Sequence, residues 1–284
     1  MDIFEITQDS LDLTLLRKGQ GHKYDHGHAL VLTGGAGRTG AARMAARGAL
    51  RIGTGAVTLG VPPSAQLEVA MQVTAVMLRR VEDGAALSKL LEDDRLSAVC
   101  LGPGLGVTDR GAELVGAALA ADRVLLDADA LTLIANDDSL RAKLHTGCVL
   151  TPHGGEFARL APDLAEIAKE DRPDAKAEAA KAAAARLGAV VLLKGPETVI
   201  AAPDGEVRRH RATEDRATPW LATAGAGDVL SGFITGLLAR GIAPMQAAAL
   251  ATFLHAEAAR QHGPGLIAED LPEMLPQVLR ELGV

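Results

Sequence analysis

Ala29-Leu30-Val31-Leu32-Thr33 is an apolar run that ends in Gly34-Gly35, and Thr39 then opens an Ala-rich helical stretch reaching Ile52. An unbroken apolar run of this length, closed by glycines, reads as a strand buried on both faces. The same order of strand, turn and helix repeats along the chain. Short apolar runs follow at 56–59, 75–78, 98–101, 124–126, 149–151 and 190–193, and helical stretches such as 110–121 and 174–187 separate most of them. Strands alternating with helices predict an α/β fold with a mainly parallel central sheet and helices on both faces. Residues 198–207 break the pattern. They read as a hairpin with Pro203-Asp204-Gly205 as its turn, which places a small antiparallel edge on the sheet. After it come only helical stretches, at 227–240, 244–262 and 271–282. The Ala-, Lys- and Glu-rich segment 176–186 reads as a solvated helix. Nothing resembles a linker or an internal repeat, so residues 1–284 are expected to form one domain.

Composition narrows the function. Of 284 residues, 48% are apolar but only 2% aromatic, so the core must be built from Ala, Val, Leu and Ile, with 31 glycines allowing close packing. A net charge of −7 excludes a general basic surface for nucleic acid. Any anionic ligand must be held by local amides or single cations. Two cysteines, Cys100 and Cys148, make no disulfide framework and point to a reducing compartment. Met1-Asp2-Ile3-Phe4-Glu5 lacks the basic-then-apolar pattern of a leader, and no apolar run approaches the ~18 residues of a membrane span. A soluble, cytoplasmic protein without a membrane or nucleic-acid partner is expected.

In an open parallel sheet, ligands bind beyond the carboxyl ends of the strands. Glycines and polar residues gather there: Gly34-Gly35-Ala36-Gly37, Gly102-Pro103-Gly104-Leu105-Gly106, Asp127-Ala128-Asp129, Thr151-Pro152-His153-Gly154-Gly155-Glu156 and Lys194-Gly195. Singly, each is a tight turn; in succession they point to a site. Gly35-x-Gly37-x-x-Gly40 fits the bare dinucleotide pattern, but no convincing ribose-binding acid follows about 20 residues on. A Walker A sequence is absent as well. The sharpest signal is Ala222-Thr223-Ala224-Gly225-Ala226-Gly227-Asp228 before the apolar Val229-Leu230-Ser231-Gly232-Phe233-Ile234. Unpaired amides at a helix N-terminus, with glycines permitting close approach, make an anion hole. The bland alternative is an acid that merely complements the helix dipole.

Gly225-Ala226-Gly227-Asp228 resembles the Gly-x-Gly-Asp motif of ribokinase-like proteins, whose glycine amides hold a transferable phosphate while the Asp acts as base. Thr39-Gly40-Ala41-Ala42, Gly102 to Gly106, Leu126-Asp127-Ala128-Asp129-Ala130-Leu131, Leu150 to Glu156 and Leu193-Lys194-Gly195 occur with it in one order. Over roughly residues 23–262 the set is similar to the ADP-dependent NAD(P)H-hydrate dehydratases, a repair family within that fold. The resemblance implies conversion of the S epimer of NAD(P)H hydrate to NAD(P)H, with ADP as co-substrate and AMP and phosphate released. It implies no separate lid domain, Mg²⁺ as cofactor and a homo-oligomer. The match begins near residue 23, so a fused epimerase domain is expected to be absent and a separate NAD(P)H-hydrate epimerase to serve as functional partner.

The resemblance assigns substrate contacts to Ala41, Gly104, His153 and Asp228, with Asp228 catalytic. It assigns nucleotide contacts to Lys194, Gly195, Pro196, Glu197 and Thr198 and to Gly225, Ala226 and Gly227. Residue chemistry agrees. Ala41 leaves room for a flat ring, Gly104 lets backbone approach a ligand, His153 can donate to an oxygen, and Lys194 ends a buried strand where its ammonium would meet an anion. Asp127 and Asp129 share a strand end, where they would lie near a metal, or Asp129 would cap the helix that starts at Ala130. Thr218-Pro219-Trp220 stands where many relatives carry an Asn-Pro-Gly-like stretch. Two other functions fit parts of the pattern: a small-molecule kinase of the same fold acting on a vitamin precursor or sugar, and a catalytically silent nucleotide-binding subunit.

Overall fold

A computed structural model describes residues 1–213 and 216–284. In chain order its elements are β1 (Phe4–Glu5), β2 (His28–Leu32), α1 (Gly40–Arg51), β3 (Ala56–Val61), α2 (Gln66–Ala70), β4 (Met77–Arg80), α3 (Gly84–Leu90), β5 (Ala98–Leu101), α4 (Asp109–Ala118) and β6 (Val124–Leu126). Next come α5 (Asp129–Asn136), α6 (Asp138–Arg141), β7 (Cys148–Leu150), α7 (Gly154–Leu160), α8 (Pro162–Ala168), α9 (Ala175–Leu187), β8 (Val190–Leu193), β9 (Glu197–Ala201) and β10 (Val207–Arg211). The helices α10 (Ala226–Ala239), α11 (Pro244–His262) and α12 (Asp270–Glu281) end the series.

The ten strands form one sheet in the order β1-β10-β9-β8-β7-β6-β5-β2-β3-β4. From β8 through β4 every adjacent pair is parallel. The antiparallel edge is the β8–β9–β10 set. Its turn closes with Gly205 N donating to Ala202 O at 3.0 Å, and Gly205 has φ +97°, which glycine adopts without strain. Two details differ from the sequence expectation. The strand expected at 75–78 lies at Met77–Arg80, an outer strand whose two arginines face solvent and blunt the edge. At the other edge, β1 pairs in parallel with β10; two residues carry no periodicity by which to foresee it.

Strand side chains alternate between two cores. Ala29, Val31, Ala98 and Cys100 enter the core formed with α1, α10, α11 and α12. Leu30, Leu32, Val99 and Leu101 enter the core formed with α3, α4, α5, α7 and α9. In the first core, α1 and α10 pack backbone to backbone. A Cβ on Gly232 would lie 2.1 Å from Ala45 O, and one on Gly48 would lie 3.0 Å from Val229 O. This contact fixes the position of α10, the helix whose first turn carries Asp228. Among the described residues, no helix is long and apolar enough to cross a membrane.

Candidate active site

Three strand ends and the N-terminus of α10 converge. β6 gives way to Asp127, a side chain only 3% exposed. Its Oδ1 lies 2.8 Å from Nζ of Lys194, the residue that follows β8, and its Oδ2 accepts from Ser231 Oγ at 2.7 Å. Ser231 follows Asp228 by three residues on α10, so the two share a helix face. Asp127 Oδ1 also accepts from Ala128 N at 2.9 Å. Ala128 sits at φ +47°, ψ −116°, a conformation that costs a non-glycine residue about 1–3 kcal/mol. That strain turns the chain sharply enough to bury Asp127 while sending the next acid elsewhere. Asp129 does not cap the helix from Ala130, as expected; it is the first residue of α5, and its Oδ2 accepts from Gly106 N at 2.8 Å. The Asp127-Ala128-Asp129 turn thereby braces both Lys194 and the Gly102–Gly106 turn.

Asp228 is half-buried in the first turn of α10. Loss of water pushes its carboxyl up to about 6; the Asp127 charge adds to the rise and Lys194 opposes it. Gly225, at φ +90°, sets the entry to the helix, and a Cβ there would lie 2.5 Å from Met44 Cε. A Cβ on Gly227 would meet Lys194 Nζ at 3.6 Å, so the ammonium lies against the first turn of α10.

His153 is the N-cap of α7: its Nδ1 accepts from Gly155 N at 2.9 Å. That bond leaves Nε2 to carry the proton of the neutral ring. The side chain is 58% exposed, and Nε2 lies 3.5 Å from Glu156 Oε1. Glu156 completes the capping box by accepting from His153 N at 2.8 Å, and its carboxylate lies 3.9 Å from Lys194 Nζ. Ala41 and Gly104 adjoin each other. A Cβ on Gly104 would lie 3.8 Å from that of Ala41. Met44, three residues beyond Ala41, links this corner to Gly225.

Lys194, Gly195, Pro196, Thr198, Ala226 and Gly227 line one cavity of about 470 Å³. The other two expected nucleotide residues are not among its walls. Gly225 lies behind as helix cap, and the Glu197 carboxylate turns outward to Arg211 Nε at 3.2 Å. Pro219 and Leu221 also line the cavity, and Trp220 between them is 48% exposed.

Lys176 was not foreseen as part of this region. The segment read as a solvated helix buries Ala177, Ala180 and Ala184, and Lys176 reaches inward to donate to the carbonyls of Lys194, at 3.2 Å, and Glu197. Burial lowers its ammonium to about 8. A lysine among alanines gives no sequence sign of this; only the loop carbonyls supplied by folding do.

A ten-stranded sheet with a glycine-flanked acid at the head of a helix beyond its strand ends is the ribokinase-like arrangement. A solved ribokinase-like superfamily protein from Enterococcus faecalis V583 matches with TM-score 0.81 at 21% identity, covering 99% of this chain and 96% of that one. The NAD(P)H-hydrate dehydratase family model matches residues 29–279, and the chain belongs to that family.

Particular relatives agree. An ADP-dependent (S)-NAD(P)H-hydrate dehydratase from Xanthomonas campestris pv. campestris is 34% identical over 278 residues, covering 92% of this chain and 91% of the relative. An ADP/ATP-dependent NAD(P)H-hydrate dehydratase from Bacillus subtilis, co-crystallised with ATP and Mg²⁺, matches with TM-score 0.79 at 29% identity over 99% of both chains. A bifunctional NAD(P)H-hydrate repair enzyme from Moorella thermoacetica is 42% identical over 283 residues, 94% of this chain but 52% of the relative. The chain thus spans about half the length of the first curated relatives it matches.

Proposed function

We propose that the chain dehydrates the S epimer of NAD(P)H hydrate at the expense of ADP, yielding NAD(P)H, AMP and phosphate. The observation that carries this reading is Asp228, half-buried at the head of α10 with a carboxyl raised to about 6, beside the Lys194 ammonium that lies against the same helix turn.

In this reading the hydroxyl of the hydrate attacks the terminal phosphorus of ADP while Asp228 takes its proton. A new O–P bond forms, the bond to the AMP oxygen breaks, and AMP leaves. The phosphorylated oxygen is then a good leaving group. Its C–O bond breaks, the adjacent carbon loses a proton, and phosphate departs as the ring double bond returns. The amides of Ala226, Gly227 and Asp228 and the Lys194 ammonium hold the phosphoryl oxygens as charge shifts. Lys194, Gly195, Pro196, Thr198 and the backbone of Glu197 form the nucleotide side, with Gly225 shaping the helix entry. Ala41, Gly104 and the Nε2–H of His153 form the substrate side.

The donor chemistry fits Mg²⁺. This ion is usually bound by one or two carboxylates and by substrate phosphates; among the described residues no three His, Cys, Asp or Glu side chains gather as a ready-made site, and buried Glu156, which caps α7 and lies 3.9 Å from Lys194 Nζ, would supply the carboxylate. When bound, Mg²⁺ would neutralise phosphate charge. A cytoplasmic homo-oligomer working with an NAD(P)H-hydrate epimerase activity completes the reading; the bifunctional repair enzymes among the relatives support that pairing.

Incubation with hydrated NADH, ADP and Mg²⁺ tests the proposal: the reduced-nicotinamide absorbance should return. Phosphorylation of a sugar or vitamin alcohol without that return would favour a kinase instead. Lys194→Ala should weaken ADP binding by calorimetry roughly 10- to 150-fold, the equivalent of a charge-assisted contact of about 1.5–3 kcal/mol. The hydrate KM should change less. Unchanged ADP affinity would confine Lys194 to its pairing with Asp127.

A further inference from the structure

One polar group in the wall of the nucleotide cavity has no task in the phosphate chemistry. On β10, Arg209 and Arg211 alternate with His210. The arginines lie on the α9 side of the sheet, Arg209 paired with Glu5 and Asp174 at 2.6 and 2.7 Å and Arg211 with Glu197. Side chains alternate along a strand, so His210 faces the opposite way. In the antiparallel ladder it stands directly across from Thr198, and directly opposed residues share a face. Both line the cavity that Lys194 and Gly227 also line.

His210 is 4% exposed, and its buried Nε2 has no hydrogen-bond partner among the described residues. His255, the other histidine of this wall, has its Nε2 2.9 Å from Ala226 O. A buried polar atom left without a partner costs about 1–3 kcal/mol, and native folds rarely keep one without a reason. The ring is neutral: burial drives it down to about 4, Arg216 pushes it the same way, and Glu257 and Glu5 oppose. A neutral imidazole offers a phosphate no counter-charge. The neighbouring walls, Ala212, Leu221 and Leu230, are apolar and suit a flat heteroaromatic ring.

We propose that His210 is a nucleoside-recognition residue, its Nε2 hydrogen-bonding to the base or ribose of the bound nucleoside diphosphate. This rests on the reading that the cavity takes ADP with its phosphates toward Lys194 and Gly227. Lys194 then anchors the phosphate charge while His210 distinguishes a nucleotide from a bare polyphosphate.

Calorimetry with ADP and with inorganic pyrophosphate tests the assignment. His210→Phe keeps a ring in place and removes the nitrogens. It should raise the ADP dissociation constant about tenfold, leave that of pyrophosphate within twofold, and leave the melting temperature unchanged or higher because the orphaned atom is gone. His210→Gln returns an amide group near Nε2 and should recover most of the loss. ADP affinity within twofold of wild type in folded His210→Phe would overturn the proposal. So would equal weakening of ADP and pyrophosphate. In the wild-type chain, the ¹⁵N signal of His210 Nε2 should move on adding ADP and stay in place on adding pyrophosphate; no difference between the two would also overturn it. Protein that binds ADP with these signatures yet restores no hydrate would overturn the proposed reaction and leave the His210 assignment standing.

Discussion

Asp228→Asn is expected to fold, to bind ADP with little change, and to lose on the order of 10²- to 10⁴-fold in turnover. Asn keeps the size of the side chain and its place in the first turn of α10, but cannot accept the hydroxyl proton. The pH dependence gives a second signature. The carboxyl lies at about 6 instead of 3.8 because it is poorly hydrated and faces Asp127. Below about pH 6 it is increasingly protonated and cannot act as base. In wild type, kcat/KM should therefore fall roughly tenfold for each further pH unit, with a plateau above pH 6. The Asn variant should lack this acid limb. A variant with near-wild-type repair rates would reduce Asp228 to a residue that complements the helix dipole, and the proton transfer would need another acceptor.

Gly232→Ala should be strongly damaging for so conservative a change. The added methyl would sit 2.1 Å from Ala45 O, a backbone atom of α1 that no rotamer change can move. The helices must separate, at the upper end of the ~1–3 kcal/mol typical of overpacking. For a chain of this size that lowers the melting temperature by roughly 6–12 °C. Because Ser231 and Asp228 lie on the same helix, the shift should also pull Ser231 from Asp127 and reduce turnover. Scanning calorimetry and the repair assay read the two effects separately. A melting temperature within 1–2 °C of wild type would show that α1 and α10 are free to slide.

The sheet was legible because its strands are buried on both faces, so 29–33, 98–101 and 190–193 read as continuous apolar runs bounded by glycine. The head of α10 was legible for a similar reason: small residues before an acid and an apolar helix have few other uses. The brace behind it was not. Asp127 was visible as a strand-end acid, but its partners Lys194 and Ser231 lie 67 and 104 residues away in sequence. Which strand ends meet is decided by sheet order. The same holds for Lys176, whose acceptors are loop carbonyls, and for His210, where Arg-His-Arg shows alternation but not which face meets the cavity.

The chain has a single tryptophan. Trp220 sits between Pro219 and Leu221, two residues in the wall of the cavity of about 470 Å³, and is half open to water. Indole emission depends on hydration, and here all of it arises at one place. A ligand that enters the cavity is therefore expected to change that emission, and ADP titrations of the substituted chains can be followed by fluorescence without attaching a dye.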